Sequence, residues 1–396
     1  MIGSSVDYVR SGGMRNVPVT KAVEHLYATT AKFSKRVRNL GLMSCVLLPA
    51  TSDSDNISLG HVTFPMFGVL LIAMNFENLI LPLILRQELS DLKWILPFFN
   101  SYFFGLLIWF ALRRRRKILS DLLVLLQDIQ PFAYTINHTF LVAFICSIPV
   151  IQTTLTFIIS ISTQGPSFYT AIYGIQNPWI EAAVRCIKSF LLTFVFPTLP
   201  NLVTLLYCIL CERICKSISS LTYEIKTMLP EEFSMTRQMN VIGLKGKVQD
   251  ALDIMQKGFS VPILFISVAY FSSCCSILGM FVSVDIRLWN FPVIVSFALT
   301  LANAFIGLLA CFWVAGGVPI ETEKYKGAFC KKIRQRLLQR KNLNEISFQK
   351  LDSDQSIFVL SGCNVIHFKR SSVLAIIGTI ITYTLLLLRD EYIEEE

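Results

Sequence analysis

Seven long apolar segments alternate with polar, mostly basic ones along this chain: Val62–Leu85, Trp94–Leu112, Thr135–Ser162, Trp179–Cys211, Phe259–Val284, Leu288–Val314 and Cys363–Leu388. A bilayer core about 30 Å thick is spanned by roughly 20 apolar residues in a helix. The pattern therefore predicts an all-α, seven-transmembrane helical bundle. The first span carries Asn75, Glu77 and Asn78, and the last has Lys369 and Arg370 near its start. Leu40–Ala50 is apolar but too short to cross, and reads as an interfacial or re-entrant piece. The organisation expected is a cytosolic N-terminal segment over residues 1–61, a membrane domain over 62–388 and a short extracellular tail over 389–396.

Orientation follows from the Lys and Arg residues between spans. Seven precede the first span (Arg10 to Arg38), five lie at Arg113–Lys117, seven from Arg213 to Lys257 and nine from Lys324 to Lys350. That places twenty-eight on one side against four on the other (Arg86, Lys93, Arg287, Arg389), with four more inside spans. Basic loops stay in the cytosol. The N-terminus is thus expected inside and the C-terminus outside. A G-protein-coupled receptor has the opposite orientation. The polar start, Met1–Arg15, lacks a signal-peptide pattern, so the first span is expected to act as signal anchor.

Composition agrees with a membrane class and excludes others. Hydrophobic residues make up 53% of the 396 and charged ones 16%, against about 25% charged in a soluble domain. Mean hydropathy is +0.57. The net charge of +9 lies in loops between spans, which is topology and not a nucleic-acid-binding face. No predicted outer loop holds a cysteine, so no disulfide framework is implied. The four His are dispersed without metal-ligand spacing, and no catalytic constellation is visible. No enzyme activity, cofactor or metal is expected.

The most specific signal is in the last span, where Gly378 is followed by Thr382-Tyr383 and the apolar run Thr384–Leu388. This resembles the hallmark of arthropod gustatory receptors, a Thr-Tyr pair followed by five hydrophobic residues. The family ends its motif with Gln and Phe; Arg389 and Asp390 stand there instead. The resemblance extends to the seven-helix plan, the chain length, the long basic loop before the last span, and Gly41-Leu42. It implies a gustatory chemoreceptor acting as a ligand-gated, non-selective cation channel in the plasma membrane. Its partners would be a small-molecule tastant and membrane lipids, in a homo- or hetero-tetramer whose last helices line a shared pore. The resemblance also implies that the inner ends of helices 4 to 7 form a cytosolic anchor. An odorant-receptor-type channel of the same architecture, or a metabotropic or non-conducting seven-helix receptor, are the alternatives.

Residue roles are expected as follows. From Val373 to Leu388 there are only sixteen uncharged residues, about 24 Å of helix. Pore lining would relieve the charge of Lys369 and Arg370 near hydrocarbon. Ile376, Ile380, Thr384 and Leu388 recur every four residues and are the pore-lining candidates, closing the pore by dewetting; the alternative is that the stripe packs within the subunit. Ligand-pocket candidates near outer helix ends are Tyr102, Thr154, Trp179, Glu181 and Trp289, because small-molecule pockets combine aromatic walls with few polar groups. Glu181 and Arg185, one turn apart, also read as a helix-surface ion pair. The fourth span, continued to Cys215, would reach about 55 Å, kinked at Pro197 and Pro200.

Overall fold

The computed structural model describes residues 68–76, 89–129, 136–162, 177–283, 291–340 and 358–394. All of them belong to the unit Leu47–Glu396. Glu77, Trp289 and the Leu40–Ala50 piece lie outside the described residues, as do the side chains of Leu388 and Arg389.

The elements are α1 (helical over 68–76), α2 (Leu89–Arg114), α3 (Arg116–Ile129), α4 (Ile136–Ser162) and α5 (Pro178–Thr193). A π-helical segment, Phe194–Thr198, joins α5 to α6 (Leu199–Thr227), followed by α7 (Met235–Ser283), α8 (Phe291–Ala315) and α9 (Gly317–Arg340). The two short strands β1 (Ser361–Gly362) and β2 (Ile366–His367) precede α10 (Arg370–Glu394). Among the described residues, four stretches are long and apolar enough to cross a membrane: Phe140–Ile159, Trp179–Thr227, Met235–Val282 and Phe291–Leu338. A shorter apolar stretch is Arg370–Leu386. On α4 the large side chains of Phe140, Phe144 and Phe157 are exposed, the arrangement of a helix whose outer face meets lipid tails.

Three of these stretches, Trp179–Thr227, Met235–Val282 and Phe291–Leu338, are far longer than a bilayer requires. Trp179–Thr227 covers 49 residues, and α7 covers another 49, each about 73 Å of helix against a core of about 30 Å. The first starts on a cap: the Asn177 side chain accepts from the Trp179 N–H at 3.0 Å, with Pro178 at the first helical position. It bends at the π segment, where Pro197 removes an amide donor and Phe196 adopts an extended backbone (φ −144°, ψ 121°).

Beyond the apolar halves, the basic ends of α6, α7 and α9 build a second, protein-packed layer. Phe233, Tyr325 and Phe329 form its centre, with ring centroids 5.6 and 5.9 Å apart. Lys332 Nζ donates to the Met228 and Lys226 carbonyls at 2.6 and 3.3 Å, satisfying orphan carbonyls at the C-terminus of α6 where positive charge is favoured. Arg336 donates to the Phe233 carbonyl.

Two sequence expectations change here. The run Arg113–Lys117 is not an open loop but a one-residue turn at Arg115 between α2 and α3. Arg115 Nη1 donates to the Lys257 carbonyl at 2.6 Å, and Leu119, Leu122 and Leu126 are buried where α3 packs on α7. The last helix starts at Arg370, not Cys363, because 361–367 folds as an antiparallel hairpin. Its turn residues Cys363 (φ 52°) and Asn364 (φ 59°) are both left-handed, the backbone of a primed turn, which the Val365 N–H closes by donating to the Gly362 carbonyl at 2.9 Å. Gln256 clamps the hairpin to α7, donating to the Ser361 carbonyl at 2.8 Å and accepting its N–H at 3.0 Å. Directly after it, fully buried Phe368 packs on Phe312 (4.9 Å) and Tyr207 (6.4 Å). The hairpin and Phe368 therefore tie the base of α10 to α6, α7 and α8. Phe368→Ala is expected to cost about 3–5 kcal/mol, read as a lower unfolding temperature of the purified protein.

Candidate functional site

The membrane half contains a polar cluster that hydrocarbon burial makes expensive unless its groups pair. Tyr270 on α7 donates its hydroxyl to Asn201 Oδ1 on α6 at 2.6 Å. Asn201 Nδ2 donates in turn to Asn303 Oδ1 on α8 at 2.8 Å. Thr204 lies 3.5 Å from the Tyr270 hydroxyl, and the Cys311 thiol 3.7 Å from Thr204. Gly307 makes the approach of α8 possible: a Cβ there would lie 2.7 Å from the Tyr270 ring. Asn303 Nδ2 and the Thr198 hydroxyl are buried without a hydrogen-bond partner; such groups cost about 1–3 kcal/mol each. They lie where the π segment touches α8.

Aromatic side chains adjoin this cluster. Phe196, displaced by the bend, stands 6.1 Å edge-to-face from Tyr102 on α2 and 6.2 Å from Tyr270. A second polar clamp links α4 to α8: Ser296 donates to Gln152 Oε1 at 2.7 Å, and Gln152 Nε2 reaches the Thr300 hydroxyl at 3.3 Å. The Thr156 and Ser189 hydroxyls join α4 to α5 at 2.8 Å. Aromatic walls with a few convergent polar groups have the composition of a small-molecule site. Among the described residues, no group of His, Cys, Asp and Glu has metal-holding geometry.

The expected pocket residues distribute unevenly. Tyr102 sits beside Phe196 at the cluster. Thr154 is exposed and donates to its own helix at Val150, and Trp179 is 73% exposed at the start of α5. Glu181 forms the (i, i+4) ion pair with buried Arg185. Asn201, Gln152, Tyr270 and Asn303 were missed by reading helix ends; the signal for them was an amide or hydroxyl in the middle of an apolar span.

On α10 the burial pattern separates two faces. Ile376, Ile377, Tyr383 and Thr384 are partly covered and Ile380 is 6% exposed, on the side toward α7 and α8. Leu374, Gly378, Ile381, Thr382 and Leu385 are open, with Leu385 61% exposed. Within the single subunit, the more covered arc of α10 thus carries Ile376, Ile380 and Thr384. The reason is its phase: these positions share an arc centred on Ile380, and the period-3.6 helix turns Leu374, Gly378, Ile381 and Leu385 away from it. The open face has no Cβ neighbour at Gly378.

No family model matches the sequence, nor does any curated protein. Among solved structures, the insect olfactory receptor OR5 from Machilis hrabei superimposes with a TM-score of 0.70 at 12% identity, covering 90% of this chain and 98% of that one. This chain has the insect olfactory-receptor fold. The same receptor in complex with eugenol gives a TM-score of 0.70 at 14% identity, covering 92% and 99%. The likeness to this receptor fold runs through nearly the full length of both chains. With its apolar helices, it makes this a membrane protein.

Proposed function

We propose that this chain is a chemoreceptor subunit of the gustatory type, opened by a small-molecule tastant as a ligand-gated, non-selective cation channel. The observation that carries the reading is the receptor fold over 90% of the chain. The Thr382-Tyr383 motif and the basic-loop bias add to it. The subunit assembles as a tetramer in the plasma membrane, with the N-terminus inside, the C-terminus outside and the basic ends of α6, α7 and α9 as cytosolic anchor. The open face of α10, Leu374, Gly378, Ile381 and Leu385, turns to the shared axis. The ligand binds beside the π segment, where Tyr102, Phe196 and Tyr270 meet the Asn201–Asn303 pair, and displacement there is transmitted through α7 and α8 to α10.

An odorant-type channel is the second reading, favoured by the neighbour being an olfactory receptor. Calcium imaging of cells expressing the chain, exposed to sugars, bitter compounds and volatile odorants, separates the two. Entry of external calcium without G-protein signalling is expected for at least one soluble tastant. Responses to volatiles alone would assign the odorant reading, and ligand binding without calcium entry would overturn the channel.

The polar cluster gives its own expected result. Asn201→Ala removes the acceptor of the Tyr270 hydroxyl and the donor to Asn303. It is expected to shift ligand half-response about tenfold or more, since 1.4 kcal/mol is a factor of ten, and the dose–response curve measures it.

A further inference from the structure

Where the apolar run of α8 ends, the surface opens into a cleft of about 340 Å3 between the start of α9, the segment leading into the hairpin at Val359 and the base of α10. Pro319, Ile320 and Val359 form apolar walls, Lys369 and Arg370 bring two positive charges, and Glu323 is the one acid. Both cations are exposed. Arg370 stands 4.6 Å over the ring of Trp313, a cation–π contact that fixes the guanidinium at the cleft edge. Trp313 is itself 55% exposed at the last turn of α8, and an exposed Trp at the end of an apolar span marks the membrane–water boundary. The cleft thus opens at headgroup depth. Gly316 lines the cleft and lets the base of α10 approach closely, since a Cβ there would sit 2.7 Å from the Arg370 backbone nitrogen.

We propose that this cleft binds the phosphate of an anionic membrane lipid, with Lys369 and Arg370 as its cationic partners and the apolar walls against the glycerol and upper acyl carbons. A free phosphate shares the charge chemistry but not the apolar walls. Placing the lipid in the inner leaflet rests on the orientation proposed above; the binding chemistry does not. Because Arg370 is the first residue of α10, occupancy bears directly on the pore helix.

Native mass spectrometry of the detergent-purified full chain, titrated with phosphatidylinositol 4-phosphate, reads the binding without needing current. Near a membrane surface each Lys or Arg contributes about 1 kcal/mol toward an anionic lipid. Lys369→Gln is therefore expected to weaken retention about fivefold, and Glu323→Gln to strengthen it, while phosphatidylcholine retention is unchanged in both. Lys369 lies before the helix, so its variant leaves the Arg370–Trp313 contact in place. Unchanged retention in both variants would overturn the site. Equal displacement by inorganic phosphate at matched concentration would overturn the lipid as ligand. A binding result with silent channels would leave the site standing and remove the channel reading alone.

Discussion

Leu385→Ser is expected to leave the assembled channel leaking cations without ligand, whereas Ile380→Ser is expected to reduce the amount of folded protein at the surface. The two residues are five apart on one helix, yet their surroundings are opposite: Leu385 is 61% exposed and Ile380 6%. A ring of apolar side chains closes a pore by keeping water out. Replacing each Leu by Ser lowers that wetting barrier at every subunit together. Losing 1.4 kcal/mol of barrier already raises basal opening tenfold. At Ile380 the same chemistry removes a packed side chain between α10 and its neighbours, at about 2–5 kcal/mol by the scale of Ile truncation. Whole-cell leak current and surface biotinylation, measured on both variants, separate these outcomes. Leak from Ile380→Ser with silence from Leu385→Ser would return the pore to the covered stripe.

Gly316→Val is expected to abolish ligand-evoked current while the bundle still folds. A Cβ at this position meets the backbone nitrogen of Arg370 at 2.7 Å and the Phe312 carbonyl at 2.9 Å, so relief requires backbone movement and not a side-chain rotation. The movable partner is the base of α10. Val adds two further carbons and moves α10 off its seat between Trp313 and the hairpin. Overpacking of this kind costs about 1–3 kcal/mol, too little to unfold the chain but enough to shift a two-state gate. Circular dichroism should remain helical while evoked current falls. Wild-type current with normal expression would show that the seat of α10 plays no part in gating.

These sites differ in how far the sequence disclosed them. Helix content was legible because apolar runs such as Thr135–Ser162 leave little choice of structure in a bilayer: the helix found there is Ile136–Ser162. The bend at Pro197 was equally legible, since a proline removes a fixed hydrogen bond wherever it falls. The end of that helix was not. Residues Lys216–Thr227 are mostly polar, and they remain helical because α6 packs on α9 and buries Ile218, Leu221 and Ile225, a tertiary contact that hydropathy does not see. Cys363–Lys369 read as part of the last span by apolar content, yet the Gln256 clamp and two left-handed residues turn it into a hairpin. The Asn201–Tyr270–Asn303 cluster joins positions 69 and 102 residues apart in the chain, so only the packed bundle brings them together. The face of α10 was ambiguous for a related reason. Its residues are apolar on all sides, and periodicity without polar contrast does not say which side a neighbour covers.

The most direct measurement is single-channel recording from the purified full chain in planar lipid bilayers, with no G protein present, under a sodium–potassium gradient and with the tastant found by calcium imaging. The account predicts discrete openings on ligand addition, a reversal potential showing little preference between the two cations, and altered basal opening in Leu385→Ser. Saturable binding of that ligand to the same preparation, with a bilayer that stays silent, would contradict it.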